Sequence, residues 1–250
     1  NEIVASNSTH FDEDGDTPDW IELYNYGSSP VSLNNWSISD EEDYNEAWVF
    51  PDLSIDPDQY FLIWASSKDR SEINYIRTLI DHGDEFKYLV PSGNIQNWNT
   101  LDFNDQSWNI GETGFGYGDG DDETELPYGT ISVYLRKEFS ISDISLIQGL
   151  ILDIDYDDGF VAYINGEEVA RANINGSPPN YNTTTPSEHE ALMHQGGIPD
   201  RFAIQNPQEF LVNGENILSI EVHNISNQSS AFTIIPFLSA IYSSSTDEGI

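Results

Sequence analysis

The 250-residue chain contains no cysteine. That excludes disulfides, thiolate zinc sites and cysteine nucleophiles. Positive charge is nearly as scarce: 8 Lys and Arg stand against 44 Asp and Glu, a formal charge of -36. A nucleic-acid binder or a binder of anionic membranes needs positive potential facing phosphate, so both are excluded as partners. No apolar run approaches ~18 residues, so no segment is expected to insert into a membrane. Long helical periodicity is also lacking. What remains is a chain with 38% hydrophobic and 12% aromatic residues. That is enough for a core and unlike a disordered acidic tail.

Short β-rich runs separated by Gly, Pro, Asn and Asp clusters fill the chain. In the first part they are Ile3–Ser6, Trp20–Tyr24, Val31–Leu33, Trp36–Ile38, Trp48–Phe50 and Tyr60–Ala65. In the second they are Ser132–Phe139, Leu146–Asp155, Gly159–Ile164, Asn216–Val222 and Phe232–Ser239. In Gly159–Ile164, Phe160, Ala162 and Ile164 alternate with Val161 and Tyr163, and Asn165-Gly166 signals a type I′ hairpin turn after it. Ser71–Ile80 and Pro186–His194 are the helical candidates. The β pattern stops near Lys68–Ser71, which sets two modules at 1–70 and 71–242, with 243–250 as a linker-like tail. Residues 1–72 hold 17 acids and 2 bases and the rest hold 27 and 6, so acidity belongs to the whole surface. The abrupt start and polar end lead to the expectation of a mature or excised piece of something larger.

Carboxylate clusters are the candidate chemistry. Asp12, Asp14, Asp16, Asp19 and Glu22 lie in a stretch with six acids in eleven residues around Gly15. Calcium takes six to eight oxygens in loose geometry and suits such a loop. The spacing departs from an EF-hand, and the alternative is a solvated acidic hairpin. Asp119 and Asp121 belong to a second cluster, five acids in seven residues, again with a cation or a solvated loop as the two readings. The preceding run Gly114-Phe115-Gly116-Tyr117-Gly118 lacks the helix and Lys-Ser/Thr of a phosphate loop. Asp157 and Asp158, with Asp153 and Asp155 before them, form the third cluster, again a candidate metal site. Its alternative is an Asx-type turn with Gly159 at positive φ. Asp40-Glu41-Glu42-Asp43 and Glu46 read as a solvated loop.

Catalytic constellations are poor. His189 and His194 are spaced i, i+5, which on a helix turns the imidazoles about 140° apart and unsuits them for one zinc. No Gly-x-Ser-x-Gly nucleophile elbow is present, and no carboxylate pair stands out for glycosidase work. Trp98, Trp108, Tyr117, Tyr128 and Tyr181 lie in loop-like stretches, where they either stack on sugar rings or pack into the core.

Asn1-Glu2-Ile3-Val4-Ala5-Ser6-Asn7, Asp19-Trp20-Ile21-Glu22-Leu23-Tyr24-Asn25, Trp36-Ser37-Ile38-Ser39-Asp40 and Tyr60-Phe61-Leu62-Ile63-Trp64-Ala65-Ser66 together resemble the bacterial secreted type of lamin-tail domain. The resemblance covers about residues 1–70 and implies an immunoglobulin-like β-sandwich, an accessory module of large exported proteins. The family pattern continues with further strands where Lys68-Asp69-Arg70 runs straight into Ser71, which raises missing residues there as one expectation and cover by the second module as the other. Residues 80–240 are similar to galactose-binding-like jelly-roll modules, on Trp98–Trp108, Tyr134–Phe139, Asp157–Gly166 and Gly214–Leu218. The Asp157-Asp158-Gly159 turn also resembles the calcium-assisted sugar site of protective-antigen-type lectin modules.

The expectation is therefore an all-β protein, an immunoglobulin-like sandwich plus a jelly-roll sandwich. It is read as a non-catalytic, calcium-stabilised, adhesive segment of a large secreted bacterial surface protein. Its expected partners are an extracellular or cell-surface glycan and other domains of the same protein. Two alternatives stand beside it: the accessory region of a secreted enzyme (CotH-like kinase, nuclease or glycosidase), and a passenger of the type IX secretion machinery.

Overall fold

The computed structural model describes residues 1–250 apart from 9, 11, 13–15, 40–46, 51–52, 67, 69–73, 119, 121 and 244–250. It divides into two compact units, Asn1–Arg77 with the chain end from Ile241, and Thr78–Ala240. The architecture is all-β, and among the described residues helices are confined to single 3-10 turns.

The first unit holds β1 (Glu2–Val4), β2 (Asp19–Tyr24), β3 (Val31–Ser32), β4 (Ser37–Ile38), β5 (Trp48–Val49), β6 (Ser54–Ile55) and β7 (Tyr60–Ala65). β1, β2 and β7 form an antiparallel sheet, while β3 pairs β6 and β4 pairs β5. Leu33, Phe50, Ile55 and Phe61 make its buried core, with Leu23, Ile38 and Trp48 packed against them. These residues are spread over six strands and their ends, so small ribbons share one apolar centre. Asn25 fixes the corner after β2. Its buried amide donates to the carbonyls of Ser29 and Ile55 at 2.9 and 2.8 Å, and its Oδ1 accepts from the Gly27 N–H at 2.9 Å.

The remaining strands are β8 (Asn74–Ile80), β9 (Glu85–Leu89), β10 (Asn109–Glu112), β11 (Phe115–Tyr117), β12 (Thr124–Glu125), β13 (Ser132–Ile141), β14 (Ile147–Asp157), β15 (Gly159–Ile164), β16 (Glu167–Ala172), β17 (Asp200–Ile204), β18 (Gly214–His223) and β19 (Phe232–Ser243). One sheet runs β10-β9-β13-β18-β15-β16, the other β12-β11-β19-β14-β17, with β8 beside β19. The sheets meet face to face. Phe86 and Tyr88 of the first approach Phe115 of the second at 6.1 and 5.2 Å, and Phe160 approaches Phe202 at 5.3 Å. Leu150, Leu152 and Ile154 face inward along β14, and Leu135, Phe160, Ala162, Ile164 and Ile220 from the opposite sheet are fully buried. This alternation places the core between two layers.

Ser71–Ile80, expected as a helix, is instead a strand from Asn74. Its Tyr, Ile and Thr content favours β structure, and β19 supplies the ladder. Pro186–His194 is a loop entering a 3-10 turn at Met193–Gln195. The hairpin at Asn165-Gly166 forms as expected, with φ of 51 and 96°. The run at Gly114–Gly118 builds β11, pinned between β12 and β19.

The sequence pattern does not disclose that the first sheet is covered on both faces. Val161 and Tyr163, on the side of β15 away from the second sheet, are as buried as Phe160 and Ala162. Residues 91–108 lie over them and contribute Trp98, which stacks on Tyr134 at 4.3 Å and meets Tyr163 edge-on at 5.9 Å. Trp108 stands 6.2 Å from Trp98, and Phe103 closes on Trp108. Trp98 and Trp108 thus pack inward and are unavailable for stacking on a ligand. Because the layer depends on Trp98, Trp98→Ala should cost about 3–5 kcal/mol. Urea unfolding measures it, and a loss below ~1 kcal/mol would mean the layer adds little to the fold.

Candidate functional site

Asp12 and Asp16 come together, but around a lysine. Lys68 Nζ lies 2.5 Å from Asp12 Oδ2 and 2.8 Å from Asp16 Oδ2. The loop closes on itself through Asp12 N–H to the Asp16 carbonyl at 2.8 Å and Asp16 N–H to Asp12 Oδ1 at 3.0 Å. An ammonium thus holds the place between these two carboxylates. Asp19 Oδ1 accepts from the Asn7 N–H at 3.1 Å, and Glu22 Oε1 accepts from the Asn1 side-chain amide. Asp14 lies outside the described residues, as do Asp119, Asp121, Asp40–Asp43 and Glu46.

Asp158 is buried, and both its oxygens end on backbone N–H groups: His189 at 2.9 Å and Ile225 at 2.7 Å. Asp155 likewise accepts from Leu192 and Met193, each at 2.8 Å. These carboxylates tie the 187–193 loop and the segment after β18 to the end of β14. Asp157 is buried beside them. Asp153 pairs with Arg201 across β14 and β17 at 2.7 Å. Gly159 does not take a positive φ as the turn reading expected. Its need is space, because a Cβ there would stand 2.7 Å from the Asn173 carbonyl. His189 stacks on Tyr156 at 4.0 Å and its Nε2 lies 3.4 Å from Asp200. Among the described residues, no group of three or more His, Asp and Glu side chains converges in metal-holding geometry.

A buried polar layer lies under the Trp98 loop. Strand pairing sets Tyr134, Glu221 and Val161 side by side, and Arg136, Ser219 and Tyr163 in the next row. Arg136 donates from Nε to Asp105 Oδ2 at 2.8 Å and from Nη1 to the carbonyls of Trp98 and Thr100. Lys87 reaches the other Asp105 oxygen at 2.5 Å. The Tyr163 hydroxyl donates to Glu221 Oε1 at 2.5 Å, and His223 Nε2 lies 3.5 Å from Glu221 Oε2. Burial, then the Glu221 charge beside it, push the Tyr163 phenol far above its ordinary pKa. It therefore stays protonated and acts as a donor. Of these residues, sequence reasoning gave a candidate role only to Trp98, as an aromatic for sugar stacking or core packing. The available signal was Arg136-Lys137 directly after the apolar run Val133-Tyr134-Leu135, in a chain with only 8 basic residues.

A family profile, the Lamin Tail Domain, matches residues 1–139. The chain belongs to the lamin tail domain family. The match runs well beyond residue 70, through the Trp98 loop to Phe139 of β13. No curated protein matches the chain. Solved structures similar to this lamin tail domain protein include a calcium-binding mutant of Bacteroides uniformis beta-glucuronidase 2, at 15% identity and a TM-score of 0.41 over 67% of this chain and 18% of that one. An uncultured Clostridium sp. beta-glucuronidase is 16% identical, with a TM-score of 0.43 over 70% of this chain and 30% of that one. Bifidobacterium dentium beta-glucuronidase, complexed with coumarin-3-O-glucuronide, is 15% identical, with a TM-score of 0.40 over 63% and 21%. The chain spans less than a third of each of these proteins.

In this lamin tail domain protein, Asp105 is the anion that keeps Arg136 buried. Burial raises its carboxyl pKa, but hydrogen bonds and charge from Lys87 and Arg136 outweigh that and hold it below the usual value. A lowered folded pKa gives stability that is present above the unfolded value and lost as pH falls through the folded one. Asp105→Ala should cost about 3–5 kcal/mol at pH 7, because it strands a buried guanidinium. Its deficit against wild type should shrink below pH ~4. Paired urea titrations at pH 7 and pH 3 test this, and a deficit that is constant with pH would contradict it.

Proposed function

We propose that the chain is a non-catalytic, calcium-stabilised structural segment of a larger exported surface protein, with glycans and neighbouring domains of the same protein as its partners. The observation that carries the non-catalytic reading is the state of the buried acids. Asp105, Asp155, Asp158 and Glu221 are each held by donors of the chain itself, and the buried phenol nearest a carboxylate is kept neutral. Groups arranged for acid-base work face a substrate position; these face cross-strand partners and capped loops. Lamin tail domain membership supports the same reading.

The calcium proposal rests on charge. Six acids fall between Asp12 and Glu22, while Lys68 bridges two of them. Mutual repulsion within such a segment falls when a hard cation joins it. The surface location agrees with a chain of net charge -36, suited to a saline, cation-rich exterior.

Thermal unfolding with calcium and with chelator tests the metal. At free calcium about 100 times its dissociation constant, one site adds about 2.7 kcal/mol. Asp14→Asn should remove most of that gain. An unchanged melting temperature in both conditions would refute calcium binding, and turnover of chromogenic glycosides or phosphoesters by the purified chain would refute the non-catalytic reading.

A further inference from the structure

One groove in the second unit has an uncharged lining. It has a volume of about 330 Å³, at the small end for ligand sites, and runs between the end of β9, the 127–132 segment and the 181–182 loop. Its lining contains no Asp, Glu, Lys, Arg or His, although 21% of the chain is charged. Val90, Pro91 and Ile131 give it an apolar character, with Tyr128 and Tyr181 as its aromatic residues.

The aromatics are held in place before any ligand arrives. Thr130 N–H and Oγ1 both bond the Pro127 carbonyl, at 3.1 and 2.7 Å, and Gly129 sits at a φ of 85°. That is a type II turn with Tyr128 at its corner. A Cβ at Gly129 would also stand 3.1 Å from the Asn227 carbonyl. Tyr128 is 70% exposed, yet its ring rests against Tyr117 at 5.4 Å. Tyr181 packs on the Trp98 cluster, its N–H bonded to Asn94 at 2.9 Å and its carbonyl to the Ser132 hydroxyl at 2.5 Å. Asn182 lines the groove with an exposed side chain, which makes no side-chain hydrogen bond among the described residues.

We infer that this groove binds a neutral saccharide, with one pyranose ring laid on Tyr128 and its hydroxyls met by the Asn182 amide. An aromatic face is electron-rich and attracts the polarised C–H face of a sugar ring. The amide can donate and accept, as hydroxyls require. An uncharged lining on a chain of net charge -36 disfavours anionic sugars and offers a cation no counter-charge. A rigid aromatic already in its bound position lowers the ordering cost. The inference rests on the proposal of a glycan partner and names its site.

Isothermal titration of the intact chain with neutral oligosaccharides (cello-, manno- and xylo-oligomers) and with oligogalacturonate tests it. A neutral oligomer should bind at least tenfold more tightly than oligogalacturonate. Tyr128→Ala should weaken that binding at least tenfold while leaving the melting temperature unchanged, Tyr128→Trp should retain it, and chelator should leave it unaltered. If a saccharide binds and Tyr128→Ala makes no difference, the groove assignment fails while the glycan-partner proposal stands. If no neutral oligomer binds at millimolar concentration, or a polyproline peptide binds in their place, both fail.

Discussion

A β-sheet buried on both faces must satisfy every polar group it carries without water. That constraint governs the second unit. The sheet β10-β9-β13-β18-β15-β16 has the opposing sheet on one side and the Trp98 loop on the other. Its outward row nevertheless carries Arg136, Glu221, His223, Ser132 and Tyr163, all buried. An unpaired charge there would cost several kcal/mol, so each is matched: Arg136 with Asp105 and two carbonyls, Glu221 with Tyr163 and His223, and Ser132 with the Tyr181 carbonyl. Since Asp105 and the Trp98 carbonyl belong to the loop, polar satisfaction and loop docking are one event.

The same pairing logic extends to the sparse positive charge. Lys68, Lys87, Arg136, Lys137, Arg171 and Arg201 each contact a carboxylate. The exposed pairs contribute little individually and are screened by salt. The Arg136 pair differs because Arg136 is only 2% exposed. With 44 acids and 8 bases, most carboxylates have no cationic partner in the chain, which leaves the folded state under self-repulsion that solution cations relieve. Against that background an uncharged groove is a local departure with chemical meaning.

Strands with strong β chemistry were legible in the sequence. Tyr60–Ala65 and Gly159–Ile164 fall within the bounds their alternation implied, as does the Asn165-Gly166 turn. Strands β10, β11, β12 and β17 were not: they are short, each carries at least one Gly, Asp, Asn or Glu, and they exist because neighbours complete their ladders. Period-two alternation reports that a strand has two faces. It does not report what covers the second, so Val161 and Tyr163 gave no sign of the loop above them. The Arg136–Asp105 pairing spans 31 residues, across β10, β11 and β12, and local pattern carries no information on such a path. For the acid clusters, spacing identified Asp12 and Asp16 as neighbours but not the lysine between them, since Lys68 is 56 residues away.

Native-state hydrogen exchange addresses the doubly covered sheet directly. The amides of Thr100, Phe103 and Trp108 are bonded within the loop, to the carbonyls of Asn97, Thr100 and Asp105. If loop and sheet are one cooperative unit, these amides should exchange with the same opening free energy and denaturant dependence as the amides of β13 and β18. Exchange of the three loop amides through a low-energy opening insensitive to denaturant, with β13 and β18 still protected, would contradict it.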